Sequence, residues 1–171
     1  MTSQRLTTDR LELRPLAAEA ATALPRDRLL ASQMLGATLS PMWPQAEMLE
    51  ILPRQAALSV GEECFGIWVM IECESRTIIG DIGFHGPPDD SGTVELGYAV
   101  VPDRRRHGYA AEAVSALVRW VLCQPAVTAV VAGCAPSNVA SIATLERARF
   151  RSTGEREGEL RWRCEGEHGT D

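Results

Sequence analysis

Arg104-Arg105-Arg106-His107-Gly108-Tyr109-Ala110 is the stretch on which the reading of this chain turns. Ahead of it, residues 93–101 (TVELGYAVV) are rich in β-branched and aromatic side chains and read as a strand. Behind it, Ala110, Ala113, Val114, Leu117 and Val121 recur on one helical face, with Glu112 and Arg119 turned away. A strand that runs through a glycine-bearing turn into a helix leaves the first helical amides without acceptors, at the positive end of the helix dipole. Gly108 lets the backbone come close to an anion, and Ala110 keeps the first turn uncrowded. Arg105, Arg106, His107, Gly108, Tyr109 and Ala110 are therefore the candidate phosphate site.

Outward from this turn the chain reads as alternating elements. Leu11-Glu12-Leu13 has period two and ends at Pro15, a short first strand. Residues 16–35 predict helix broken at Pro25, and Pro44 opens a second helical region reaching about Val60. Residues 65–72 and 77–84 predict a hairpin around Glu74-Ser75-Arg76, and residues 86–92 form a dense turn signal. Pro125 ends the helix begun at Gly108, and residues 127–132 are apolar and β-branched, as in a buried strand. Asn138 can cap a helix over 139–148, residues 150–155 and 160–164 predict a last strand pair, and 165–171 reads as a frayed tail. The expected fold is α/β: one domain over residues 1–171, with its core at about 7–164.

Composition narrows the function. The 171 residues suffice for one substantial core. The polar amino terminus carries no apolar leader, and the longest apolar region is interrupted by Arg119, Gln124 and Pro125, so neither export nor membrane insertion is expected. A net charge of −6 argues against a nucleic-acid partner and is compatible with cationic substrates. All 17 basic residues other than histidine are arginine, which excludes a lysine nucleophile. Five cysteines without paired spacing read as free thiols in a reducing cytoplasm, Cys134 included. The scattered His85, His107 and His168 give no metal-ligand pattern, and no metal is expected.

The pattern Arg105-x-x-Gly108-x-Ala110 resembles the pyrophosphate-binding signature of the GNAT superfamily of acyl-CoA-dependent N-acetyltransferases. Thr7-Asp9-Arg10-Leu11-Glu12-Leu13-Arg14-Pro15 resembles the first strand of its ribosomal-protein-alanine acetyltransferase branch. Ile79-Gly80-Asp81-Ile82-Gly83-Phe84-His85-Gly86, Val94-Glu95-Leu96-Gly97-Tyr98, and Asn138-Val139-Ala140-Ser141 with Leu145-Glu146 and Phe150 follow in that family's order and spacing. The resemblance implies a mixed, mostly antiparallel sheet with a splayed strand pair and helices on both faces. It implies acetyl-CoA as cosubstrate and, as acceptor, a primary amine on a small molecule or a protein N-terminus. It also implies that Ala99 and Val100 expose backbone groups to the pantetheine arm, with Asn138 and Ser141 near the thiol. A cytoplasmic enzyme is expected, and a homodimer is compatible with it.

Acetyl transfer needs a held cofactor, a neutral amine and a stabilised leaving thiolate. Glu95, on the strand face opposite Val94 and Leu96, is the first candidate base. His85 is its rival, because an imidazole titrates in the right range. Ser141 can donate to the departing sulfur. Neutralising an α-amine at pH 7 costs only about 1.4 kcal/mol, against about 4.6 for a lysine side chain, so one modest carboxylate suits an N-terminal acceptor better. The resemblance departs at two points: residues 141–146 lack the family's frequent tyrosine acid, and Arg149 stands where glycine usually precedes Phe150. Those departures leave open a second reading, a non-catalytic acyl-CoA-binding or sensor domain.

Overall fold

The computed structural model describes residues 4–59 and 61–166. Its strands are β1 (Leu6–Thr7), β2 (Leu11–Pro15), β3 (Thr38–Leu39), β4 (Ile67–Glu72), β5 (Thr77–Phe84), β6 (Thr93–Val100), β7 (Ala129–Cys134), β8 (Arg151–Arg156) and β9 (Glu159–Glu165). Its helices are α1 (Ala18–Ala23), α2 (Arg28–Leu35), α3 (Ala46–Ala56), α4 (Tyr109–Leu122) and α5 (Val139–Arg147). The strands form one sheet in the order β1-β2-β4-β5-β6-β7-β9-β8, with β3 paired to β5. Pairing is antiparallel except between β6 and β7 and between β3 and β5.

The centre of the sheet follows from its sequence. Ile67-Trp68-Val69-Met70-Ile71 has no polar residue, and all five are buried, which requires cover on both faces. Trp68 stacks on Trp120 of α4, with ring centroids 5.0 Å apart, so even-numbered positions here face α4. Trp68 pairs in register with Ile82, and Ile82 with Tyr98. The opposite face carries Val69, Asp81 and Ala99 in register and lies under α3. α1 packs on α2 and α3, and α4 packs on α5.

Several elements differ in extent from the sequence reading. The break expected at Pro25 separates α1 from α2. The helix expected from Pro44 begins at Ala46, after a cis Trp43–Pro44 bond, and ends at Ala56; Val60 lies outside the described residues. β7 starts two residues later than expected, because Thr128 N–H is taken by Gly92 O in the preceding turn. Glu165, assigned to a frayed tail, is the last residue of β9 and pairs with Ala129; residues 167–171 lie outside the described part. β1 and β3 are only two residues long, too short to carry a period, and neither was expected as a separate strand.

Candidate active site

Pro102, which cannot donate to a ladder, ends β6 and starts a 3-10 turn, Pro102–Arg104. Arg106 (φ 64°) and Gly108 (φ 81°) then take left-handed conformations that swing the chain into α4. No side chain caps this helix. Consequently the six successive amides of residues 106–111 have no acceptor among the described residues. Such a run of open amides, at the positive end of a fourteen-residue helix, is suited to an anion.

The arginines divide their tasks. Arg105 turns away from these amides: its Nε donates to Val100 O at 2.9 Å and a terminal nitrogen to Gln45 Oε1 at 3.1 Å. Arg104 lies 3.7 Å from Glu72 and 3.5 Å from Asp103. Arg106 is exposed and makes no ion pair among the described residues, so it is the guanidinium left for an anion. The His107 ring is held at Nδ1 by the Arg104 and Arg105 carbonyls. Tyr109 donates to Glu72 and supports the Arg10 guanidinium, 4.4 Å above its ring centroid. Arg10 also donates to His107 O at 2.9 Å and pairs with Glu112 at 2.7 Å, which braces the turn from behind. Arg10 entered the sequence reading only as part of a strand motif; its bracing depends on contacts across about a hundred residues of chain.

Beside this turn β6 and β7 separate. They pair only at Thr93, Val94 and Glu95, against Ala129, Val130 and Val131. Beyond these, β6 stays with β5 and β7 with β9, leaving a wedge-shaped gap. His85 N–H donates to Glu95 O and Val101 N–H to Ile79 O, so odd-numbered residues of β6 turn their backbone groups toward β5. This corrects the expectation for Ala99, whose backbone belongs to the β5 ladder opposite Asp81. Tyr98 and Val100 direct theirs into the gap, and the Val100 carbonyl is already occupied by Arg105.

Around the gap lie two clusters, on opposite faces of β6. On the α5 side, Asn138 Oδ1 accepts from Ser141 N at 3.1 Å and caps the helix. Tyr98 reaches this region from β6. Its hydroxyl is buried without a hydrogen-bond partner, although Ser141, Thr144 and Cys134 lie near enough to act on it. Burial raises the phenol's pKa. Helix 141–146 lacks a tyrosine, but the strand supplies one.

On the α3 side, His85 Nδ1 lies 3.4 Å from Glu95 Oε2, and Arg161 holds Glu95 Oε1 at 3.1 Å. The two candidate bases are thus one cluster, apart from Ser141. A Cβ on Gly97 would come 3.2 Å from His85 Nε2, so this glycine leaves room for the ring. Next to the pair lies a cavity of about 270 Å³ between α3 and the sheet. In its lining stands Asp81, whose Oδ2 accepts from Trp43 Nε1 at 2.9 Å. Burial pushes the Asp81 carboxyl up to about 6; the Trp43 hydrogen bond opposes the rise and the negative Glu47 adds to it. The sequence reading quoted Asp81 within a motif and gave it no task. The available signal was a lone carboxylate in the otherwise apolar run 78–84. Among the described residues no group of three or more His, Cys, Asp or Glu side chains is placed to hold a metal ion, and no helix is long and apolar enough to cross a membrane.

Residues 10–151 match the family model described as "Acetyltransferase (GNAT) domain". The chain is 31% identical over 148 residues to the uncharacterized N-acetyltransferase YjdG of Bacillus subtilis, covering 85% of this chain and 88% of that protein. Its fold superposes on ribosomal-protein-S5-alanine acetyltransferase from Vibrio fischeri with a TM-score of 0.72, at 14% identity, over 98% of this chain and all of that one. It superposes on the ribosomal L7/L12 alpha-N-protein acetyltransferase RimL, solved in complex with coenzyme A, with a TM-score of 0.69 at 18% identity, covering 95% and 98% of the two chains.

Proposed function

The chain belongs to the GNAT acetyltransferase domain family, and from that premise we propose that it transfers acetyl from acetyl-CoA to a primary amine by direct attack in a ternary complex. The observation that carries this reading is the open run of amides at residues 106–111, set beside the gap between β6 and β7. A pyrophosphate fits the first, with Arg106 as its nearby free cation. The peptide-like pantetheine arm fits the second, against the backbone groups of Tyr98 and Val100.

In this reading the thiol end reaches the level of Tyr98 and Ser141, and the amine approaches from the α3 face. Its nitrogen attacks the thioester carbonyl carbon, the carbon–sulfur bond breaks, and an amide and a thiolate result. Glu95, backed by His85 and fixed by Arg161, takes the ammonium proton through solvent. The hydroxyls of Tyr98 and Ser141 stabilise the departing sulfur from the other face. Tyr98 answers the want of a tyrosine in α5, which favours turnover over the sensor reading.

The test is twofold. Acetyl-CoA at 100 times its Kd should stabilise the fold by about 2.7 kcal/mol. A panel of primary amines, assayed by thiol release, should then contain an acceptor. A melting temperature indifferent to millimolar acetyl-CoA and CoA would overturn the reading.

A further inference from the structure

Asp81 is costly to keep. A carboxylate half-buried under α3 has one neutral hydrogen bond, from Trp43. Trp43 is fully buried and needs an acceptor for its indole N–H, but a neutral oxygen would serve that need without burying a charge. The other carboxylate oxygen, Oδ1, has no partner among the described residues and is open to the cavity. Two further features belong to the same cavity. Glu47, in the first turn of α3, is a second carboxylate in its lining. Gln45, with Oε1 occupied by Arg105, has its Nε2 donor buried and unsatisfied. The remaining lining includes Met48, Ile51, Ile67 and Phe84.

An orphan acceptor with negative charge, an orphan amide donor and apolar walls describe their complement. It is a cation, a carbonyl near it and an apolar substituent between them. Resting on the acetyl-transfer reading above, we propose that Asp81 is the specificity residue that holds the acceptor's ammonium group, and that Gln45 Nε2 holds the carbonyl next to it. The acceptor is then an α-amino carbonyl compound, an amino-acid amide or the first residue of a peptide, in preference to a simple alkylamine.

Asp81 stands opposite Ala99, four residues along each strand from the His85–Glu95 pair, a separation of about 13 Å. One nitrogen cannot touch both. Asp81 therefore acts on binding, and the proton leaves through solvent to Glu95. Besides Asp81, the ionisable groups lining the cavity are Glu47 of α3, His85 just beyond β5 and Tyr98 of β6; Glu95 stands behind His85 and pairs with Arg161.

The test measures calorimetric binding of alanyl-phenylalaninamide, its N-acetyl form and phenethylamine to the CoA-saturated protein. The free dipeptide amide should bind at least 30-fold more tightly than the blocked form and at least 10-fold more tightly than phenethylamine. Asp81→Asn, which keeps the size and can still accept from Trp43, should abolish the first preference; Gln45→Ala should abolish the second. Both variants should bind CoA as the wild type does. Glu47→Gln, on the exposed first turn, should weaken the first preference several-fold and guards against a folding defect in Asp81→Asn. Where turnover is measured, Asp81→Asn should raise KM at least 30-fold with little change in kcat, whereas Glu95→Gln should lower kcat. Wild-type protein indifferent to the free amine, or Asp81→Asn binding all three compounds as wild type does, overturns the proposal. Selective binding without acetyl transfer would overturn the acetyl-transfer reading and leave this one standing.

Discussion

The imidazole of His85 and the carboxylate of Glu95 face each other across the β5–β6 ladder, Nδ1 3.4 Å from Oε2, while Arg161 secures the second carboxylate oxygen. Glu95 is therefore held in position from both sides. Replacing it with glutamine should slow turnover about 10²-fold, with CoA affinity unchanged. The deficit should shrink as pH rises, because solvent then deprotonates more of the amine. A pH–rate profile of wild type and variant at saturating acetyl-CoA checks this; superimposable profiles reduce Glu95 to a structural ion pair. If His85→Gln alone removes the acidic limb, the imidazole is the base.

Gly108 holds φ at 81°, where any residue with a Cβ costs about 1–2 kcal/mol. Gly108→Glu adds a negative charge beside the open amides of residues 106–111. The variant should keep its circular dichroism spectrum, melt a few degrees lower and lose its thermal response to CoA. A folded variant with wild-type CoA affinity would put the anion site elsewhere.

Asp81 gives a prediction about stability whose sign runs against its function. Its folded pKa of about 6 lies above the ordinary 3.8, so the folded protein binds more protons between these values. Ionised Asp81 thus destabilises the fold; the cost is fully present above about pH 6 and vanishes as pH falls below about 4. Asp81→Asn should raise unfolding free energy by up to about 3 kcal/mol at pH 7.5 and by almost nothing at pH 4. Urea titrations at the two pH values measure the difference. A uniform loss at both would mean that the carboxylate is needed for the fold.

The unsatisfied Tyr98 hydroxyl makes a comparable opposition. Tyr98→Phe removes a buried polar atom that costs about 1–3 kcal/mol when left without a partner, so stability should hold or rise. Turnover should fall about 10²-fold if the hydroxyl serves the departing sulfur. A variant both more stable and fully active would leave Ser141 as the only hydroxyl donor.

Arg149 carries a φ of 65°, the conformation for which glycine is the natural occupant. Arg149→Gly relieves the left-handed penalty and incurs glycine's entropic cost, for a net gain of about 0.5–1 kcal/mol. Chemical denaturation reads it directly; a loss would show that the Arg149 side chain packs usefully at the end of α5.

What could be read from the sequence was whatever lay within one element. The start of α4 was legible because Gly108 and the apolar stripe from Ala110 sit side by side. The turn toward Phe150 was legible as a glycine position even though arginine fills it. The tie of Arg105 to Val100 O and Gln45 was not legible, because those partners are brought to it by tertiary packing across up to sixty residues. Asp81 and Tyr98 escaped for the same reason. A lone aspartate in a strand discloses nothing until β6 and α3 enclose it, and a tyrosine on β6 cannot be matched to Ser141 before the sheet's register is known. The backbone task expected of Ala99 falls to Tyr98 because strand parity is set by hydrogen bonds to β5 and its flank, His85 N–H to Glu95 O and Val101 N–H to Ile79 O.

The three-residue contact between β6 and β7 has a mechanical consequence. β7, β8, β9 and α5 are joined to the rest through this short ladder, the Arg161–Glu95 pair and the packing of α4 on α5. The domain thus carries a seam along which it can open as two cooperative units, with amide exchange in β7–β9 uncoupled from that in β2–β5. A ligand seated in the gap, as proposed above, would lie between the two sides of the seam. It acts as a removable cross-link, and its departure returns that freedom to the chain.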